Sequence, residues 1–149
     1  MALFDKLAIT SPNIQPLARV PDVYAADTGN QTPTLNISGV PEGTVELALI
    51  MHDPDAPLPN GFTHWTVYGI PADTTTIDET VGRVGPNTLG DQEYSGPQPP
   101  PGHGTHHYYF WVFALNQPVQ GQPSREEFLA TYADSILEQA RLVGLYSAD

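Results

Sequence analysis

The chain has 149 residues, no cysteine and a formal net charge of −12, from 17 acidic and 5 basic side chains. The absence of cysteine excludes disulfides, thiolate zinc sites and cysteine nucleophiles. The few basic residues are scattered, which argues against nucleic acid or an anionic bilayer as a partner, because both require a row of cations. No apolar stretch approaches the roughly 18 residues of a transmembrane segment, and the start does not resemble a secretory signal. We therefore expect a cytoplasmic protein that forms one domain over residues 1–149.

Four segments are predicted to be strands, because β-branched and aromatic residues are concentrated in them. The first, over residues 33–41, is short and ends at a glycine and a proline. The segments 45–51, 63–70 and 106–115 carry apolar residues on both faces. Strands that are apolar on both faces lie between two layers. The sequence therefore predicts a mainly β fold, either a sandwich or a sheet beneath a helix.

Residues 124–144 are predicted to form the one long helix. Ser124 and Glu127 have the spacing of a capping box at its start. An apolar residue then recurs at every fourth position: Phe128, Tyr132, Ile136 and Ala140. This stripe is expected to pack on the domain, and Gly144 is a suitable helix end.

Two aspartates follow the strand at 45–51 on a stiff segment, DPDAPLP, at residues 53–59. Proline restricts its own φ and holds the preceding residue in an extended conformation. Asp53 and Asp55 therefore lose little conformational freedom when they meet a ligand. Loops held by a rigid scaffold at the end of a strand often carry function.

Two histidines, His64 and His106, stand at the beginning of predicted strands. Because alternate residues of a strand share a face, Tyr108 points to the same side as His106, and His107 points to the other. If both strands start beside the aspartates, five polar side chains converge: Asp53, Asp55, His64, His106 and Tyr108. A carboxylate that accepts from one imidazole nitrogen fixes the tautomer, and the second nitrogen then faces the cavity as a donor. The result is a polar cup suited to an oxyanion.

Four motifs, in this order, resemble the phosphatidylethanolamine-binding protein family, which includes the Raf kinase inhibitor protein and its bacterial and archaeal relatives. They are DPDAP (53–57), HW (64–65), YSGPQPPPGHGTHHYYFWVFAL (94–115) and ILEQARLVGLY (136–146). The resemblance covers residues 33–146. It implies a β-sandwich with a C-terminal α-helix and few peripheral helices, around a small anion-binding pocket.

The same resemblance implies which residues bind the ligand. The matched positions are Asp53, Asp55, Phe62, His64, Pro99, Pro100, His106 and Tyr108. It also implies a cis peptide bond between Ala56 and Pro57. The chain departs from the family pattern at His107, where relatives usually have arginine, and at Ile37, where a tryptophan is common.

The residues by themselves leave other interpretations open. The aspartates are also typical of turns, and histidines in strands are often satisfied core residues. Our leading hypothesis is a binding protein for a phosphate-containing small molecule or a lipid headgroup, without cofactor, metal or catalytic residues. The alternative is a regulatory protein that inhibits a kinase or a protease, and a homodimer is left open. A hydrolase is less favoured, because the chain has no GxSxG elbow.

Overall fold

The structure, a computed structural model, describes residues 3–148. Eight strands follow one another along this part of the chain: β1 (Ala8–Thr10), β2 (Leu35–Ser38), β3 (Glu46–Asp53), β4 (Phe62–Pro71), β5 (Thr76–Ile77), β6 (Arg83–Val84), β7 (His106–Leu115) and β8 (Ile136–Tyr146). One α-helix, α1 (Arg125–Tyr132), lies between β7 and β8, and 3₁₀ turns span Asp22–Tyr24 and Ala133–Ser135. The four segments predicted as strands correspond to β2, β3, β4 and β7.

The strands form two antiparallel sheets, in the orders β1-β2-β5 and β6-β4-β3-β7-β8. One face of the larger sheet packs on the smaller sheet, with Leu49 and Phe110 in the same buried cluster as Leu35. The other face packs on α1, where Phe128 joins Ile50. Every residue of β3 is buried, as expected for a strand between two layers. The predicted mainly β sandwich with a C-terminal helix is confirmed.

The helix begins as predicted but is much shorter. In the capping box, the Glu127 N–H donates to Ser124 Oγ at 3.2 Å and the Ser124 N–H donates to Glu127 Oε1 at 2.9 Å. The helix ends at Tyr132, after 8 residues. No helix within residues 3–148 has the length and apolar character needed to cross a membrane.

The second half of the predicted helix is wrong, because residues 136–146 form strand β8. They pair with β7 along its whole length, from the pair His106–Tyr146 to the pair Leu115–Ile136. The leucine, glutamate, glutamine, alanine and arginine residues of β8 favour a helix intrinsically. The backbone hydrogen bonds offered by β7, and the burial of Leu142 and Tyr146 in the core between the sheets, outweigh that preference.

Gly144 is therefore a strand residue rather than a helix end. A Cβ atom at this position would lie 2.6 Å from Val20 Cγ2 and 3.2 Å from Ile14 Cγ2. We expect Gly144→Ala to lower the free energy of unfolding by about 1–3 kcal/mol, because it overfills this part of the core. Urea denaturation measures the effect. In a double-mutant cycle, Val20→Ala should relieve part of it, whereas strictly additive effects would contradict the steric explanation.

Candidate functional site

A cavity of about 320 Å³ opens at one end of the larger sheet. Strand β3 is antiparallel to both of its neighbours, so its last residue lies beside the first residues of β4 and β7. Five residues from these strand ends line the cavity: Asp53, Phe62, His64, His106 and Tyr108. The loops after β3 and before β7 complete the wall, through residues that include Pro57, Pro99 and Pro100. Of the eight candidate residues from the sequence, seven line the cavity; Asp55 does not.

Asp53 and His106 form a buried pair at the base of the cavity. The distance from Asp53 Oδ2 to His106 Nδ1 is 2.6 Å, and each side chain is only 3% exposed. The other carboxylate oxygen, Oδ1, accepts a 2.7 Å hydrogen bond from the Asp55 N–H. Because an ionised carboxylate can only accept, the proton of this bond belongs to His106 Nδ1.

The second nitrogen of His106 does not stand free in the cavity. Its Nε2 lies 2.5 Å from Nδ1 of His103, an exposed residue of the loop before β7. Sequence reasoning missed His103 as a member of this cluster. Its place between Gly102 and Gly104, with φ of 76° and 85°, lets the chain turn the ring back toward β7. The GHG sequence directly before a strand was the available signal.

His64 is held by the backbone of the proline-rich loop. Its Nδ1 donates to the Ser95 carbonyl at 2.7 Å. The ring packs against Phe62 and Tyr108, with centroid distances of 4.6 and 5.3 Å. Burial lowers the pKa of His64 to about 4, so the ring is neutral near pH 7.

Asp55 points away from the cavity and fastens its loop to β7. Its Oδ2 accepts from both the backbone N–H and Nδ1 of His107, each at 2.7 Å. Both side chains are partly exposed. Burial by itself raises the pKa of Asp55, but the hydrogen bonds and charge of His107 outweigh it and lower that pKa below its usual value. Alternation along β7 explains the geometry, because position 107 faces the opposite side from His106 and Tyr108.

The mouth of the cavity is apolar. Leu58 and Leu89, which are 47% and 69% exposed, line it together with Pro57, Pro99 and Pro100. No lysine or arginine is among the lining residues. The peptide bond before Pro57 is trans, like every other within residues 3–148, so the expected cis bond is wrong.

The sequence of this chain is similar to a known family model and to individual known proteins. The family model for the phosphatidylethanolamine-binding protein matches residues 10–147. The UPF0098 protein of Aquifex aeolicus strain VF5 is 42% identical over 141 residues, covering 87% of this chain and 82% of that protein.

Two crystal structures have the same fold over nearly the whole chain. YbcL of Escherichia coli, described as a member of the mammalian PEBP family, has a TM-score of 0.89 at 30% identity, covering 97% of this chain and 100% of that one. The putative homologue CT736 of Chlamydia trachomatis has a TM-score of 0.88 at 28% identity, covering 97% and 99%. From the matched motifs, the fold and these similarities, we conclude that the chain belongs to the phosphatidylethanolamine-binding protein family.

Proposed function

We propose that the chain binds a small phosphate-containing molecule through its phosphoryl group, in the cavity between the ends of β3, β4 and β7. The observation that carries the proposal is the convergence of His64, Tyr108 and the Asp53–His106 pair in one concave site. Small-molecule sites are typically concave and mostly apolar, with a few polar groups that fix the orientation of the ligand. The cavity has this composition.

The hydroxyl of Tyr108 supplies a donor to the phosphoryl group. It makes no hydrogen bond to another residue of the described chain, and residues 3–148 contain no fully buried side-chain oxygen or nitrogen without a partner. The hydroxyl is therefore open to the cavity that Tyr108 lines. Burial, and secondarily the charge of Asp53, raises the pKa of Tyr108 well above its usual value. The hydroxyl stays protonated throughout the physiological range.

The charge of the site favours a monoanion over a dianion. No lysine or arginine lines the cavity, Asp53 contributes a negative charge nearby, and the whole chain carries −12. A phosphomonoester gains its second charge as the pH rises through about 6. Because His64 is neutral there, it does not compensate the second charge.

We expect phosphorylethanolamine to bind about tenfold or more tightly at pH 5.5 than at pH 7.5, because binding retains a proton that the free ligand loses in this range. Isothermal titration calorimetry at constant ionic strength measures the change. His64→Ala should weaken binding by about tenfold, and His107→Ala, which alters the opposite face of β7, is the matched control. Binding that is independent of pH, or unaffected by His64→Ala, would contradict the proposal.

A further inference from the structure

The tautomer of His64 is determined by a backbone carbonyl. A carbonyl oxygen can only accept a hydrogen bond, so the 2.7 Å contact from Nδ1 to the Ser95 carbonyl places the ring proton on Nδ1. The loop that carries Ser95 is itself attached to His64, because the Ser95 N–H donates to the His64 carbonyl at 3.1 Å. This two-way contact keeps the ring in one orientation.

The other nitrogen of His64 presents a lone pair to the cavity. Nε2 has no hydrogen-bond partner within residues 3–148, and that part of the chain contains no fully buried side-chain nitrogen or oxygen without a partner. Nε2 is therefore open to the cavity that His64 lines. With the proton on Nδ1 and the pKa lowered to about 4 by burial, the ring is neutral above that pH and Nε2 is an acceptor.

The charged groups around His64 do not change the neutral, accepting state of its ring. The charges that act on it are Asp53, which favours the protonated ring, and His52, which opposes it, and burial outweighs both. The second imidazole of the cavity, His106, has both nitrogens engaged, with Asp53 and with His103. Among the histidines that line the cavity, His64 alone therefore has a nitrogen without a protein partner.

We propose that the cavity selects oxyanions that carry an acidic hydroxyl group, which donates a hydrogen bond to His64 Nε2 and keeps its proton. This inference rests on the proposed phosphoryl binding and adds the class of ligand. A phosphoryl monoanion has both features, a P–OH group for Nε2 and unprotonated oxygens for the Tyr108 hydroxyl. A sulfate ester has no proton to donate, so its oxygen would face the Nε2 lone pair and leave a desolvated acceptor without a partner.

Two ligands of the same shape and charge test this selection. Phosphorylethanolamine at pH 5 is mainly a phosphoryl monoanion with one P–OH group, whereas ethanolamine O-sulfate is a monoanion without that proton, and both carry an ammonium group. We expect the phosphate ester to bind at least about tenfold more tightly in calorimetric titrations of the full chain. Equal affinities would overturn the inference while leaving the proposed function intact. Binding of neither ligand would overturn both.

A substitution of His64 tests whether its Nε2 acceptor, and not another group of the cavity, causes the preference for the phosphate ester. The amide of His64→Gln presents either a carbonyl or an NH₂ group, so it accepts or donates as the ligand requires. In this variant we expect the two affinities to differ by less than about threefold. An unchanged preference for phosphate in a folded variant would show that another group carries it, and would overturn the inference.

Nuclear magnetic resonance of the unsubstituted protein gives an independent measurement. Long-range ¹H–¹⁵N spectra distinguish a bare imidazole nitrogen from a protonated one. With saturating phosphorylethanolamine at pH 5, we expect His64 Nε2 to keep the signature of an unprotonated acceptor. An imidazolium signature would show that the shared proton resides on the ring and not on the ligand, which would overturn the inference even if the variant does not fold.

Discussion

Asp53→Ala is expected to lower the free energy of unfolding by about 3 kcal/mol, because it leaves a buried hydrogen-bond donor without its partner. The Asp53 carboxylate accepts from His106 Nδ1 at 2.6 Å and from the Asp55 N–H at 2.7 Å. The His106 side chain is 3% exposed, so its Nδ1–H would lose its partner where little water can replace it. Urea denaturation at pH 7 measures the loss.

Asp55 provides a matched control only two residues away. Its pair with His107 has a similar length, 2.7 Å, but the side chains are 39% and 46% exposed. Water screens such a pair and replaces it when it is broken, so Asp55→Ala should cost less than about 1 kcal/mol. Equal losses for the two alanine variants would show that burial does not set the strength of the Asp53 pair, contrary to our interpretation.

Acidification from pH 6.5 to pH 4 is expected to lower the free energy of unfolding by about 3 kcal/mol for each of His52 and His64. Burial lowers the pKa of both side chains to about 4, whereas histidine in the unfolded chain has a pKa of about 6.5. Between these values the unfolded state binds the proton and the folded state does not. The stabilisation is therefore complete above pH 6.5 and is lost as the pH falls toward 4.

Substituting each histidine in turn measures its own contribution to the pH dependence of the free energy of unfolding. One proton taken up on unfolding corresponds to a slope of about 1.4 kcal/mol per pH unit. We expect His52→Asn and His64→Asn each to reduce the slope between pH 5 and 6 by about this amount, measured by urea denaturation at closely spaced pH values. The asparagine amide retains a polar group near the position of Nδ1, which contacts Thr63 Oγ1 in His52 and the Ser95 carbonyl in His64. A slope that neither substitution changes would contradict the prediction.

These predictions concern buried polar side chains in or beside a cavity that no lysine or arginine lines. In the proposed complex, the neutral ring of His64 accepts a hydrogen bond from the ligand, whereas the Tyr108 hydroxyl donates one. For the proposed function, this restricts binding to a range in which the ligand, rather than the protein, carries the shared proton.

Much of the fold follows from local sequence patterns. The segments that became β3, β4 and β7 carry apolar residues on both faces and are rich in β-branched and aromatic residues, which favours strands between two layers. The start of α1 is encoded within four residues, because the capping box of Ser124 and Glu127 satisfies backbone groups locally. The proximity of Asp53, His64 and His106 was also predictable, because each stands where a central strand ends or begins.

Other features depend on contacts between distant parts of the chain. The residues of β8 have helical propensity and an apolar repeat that fits a helix, yet they form the edge of a sheet because β7 offers a full row of backbone partners. In the sequence, nothing distinguishes Asp55 from Asp53 within the DPDAP segment. In the structure, the hydrogen bond to His107 holds the Asp55 side chain away from the cavity. His103 joins the site by contacting His106, only three residues away. It contacts Nε2 of His106 because Nδ1 is already bound to Asp53, which lies more than fifty residues earlier in the chain. Patterns of neighbouring residues specify which segments are buried and which backbone is stiff; the partner of each polar side chain is specified by the packing that brings remote segments together.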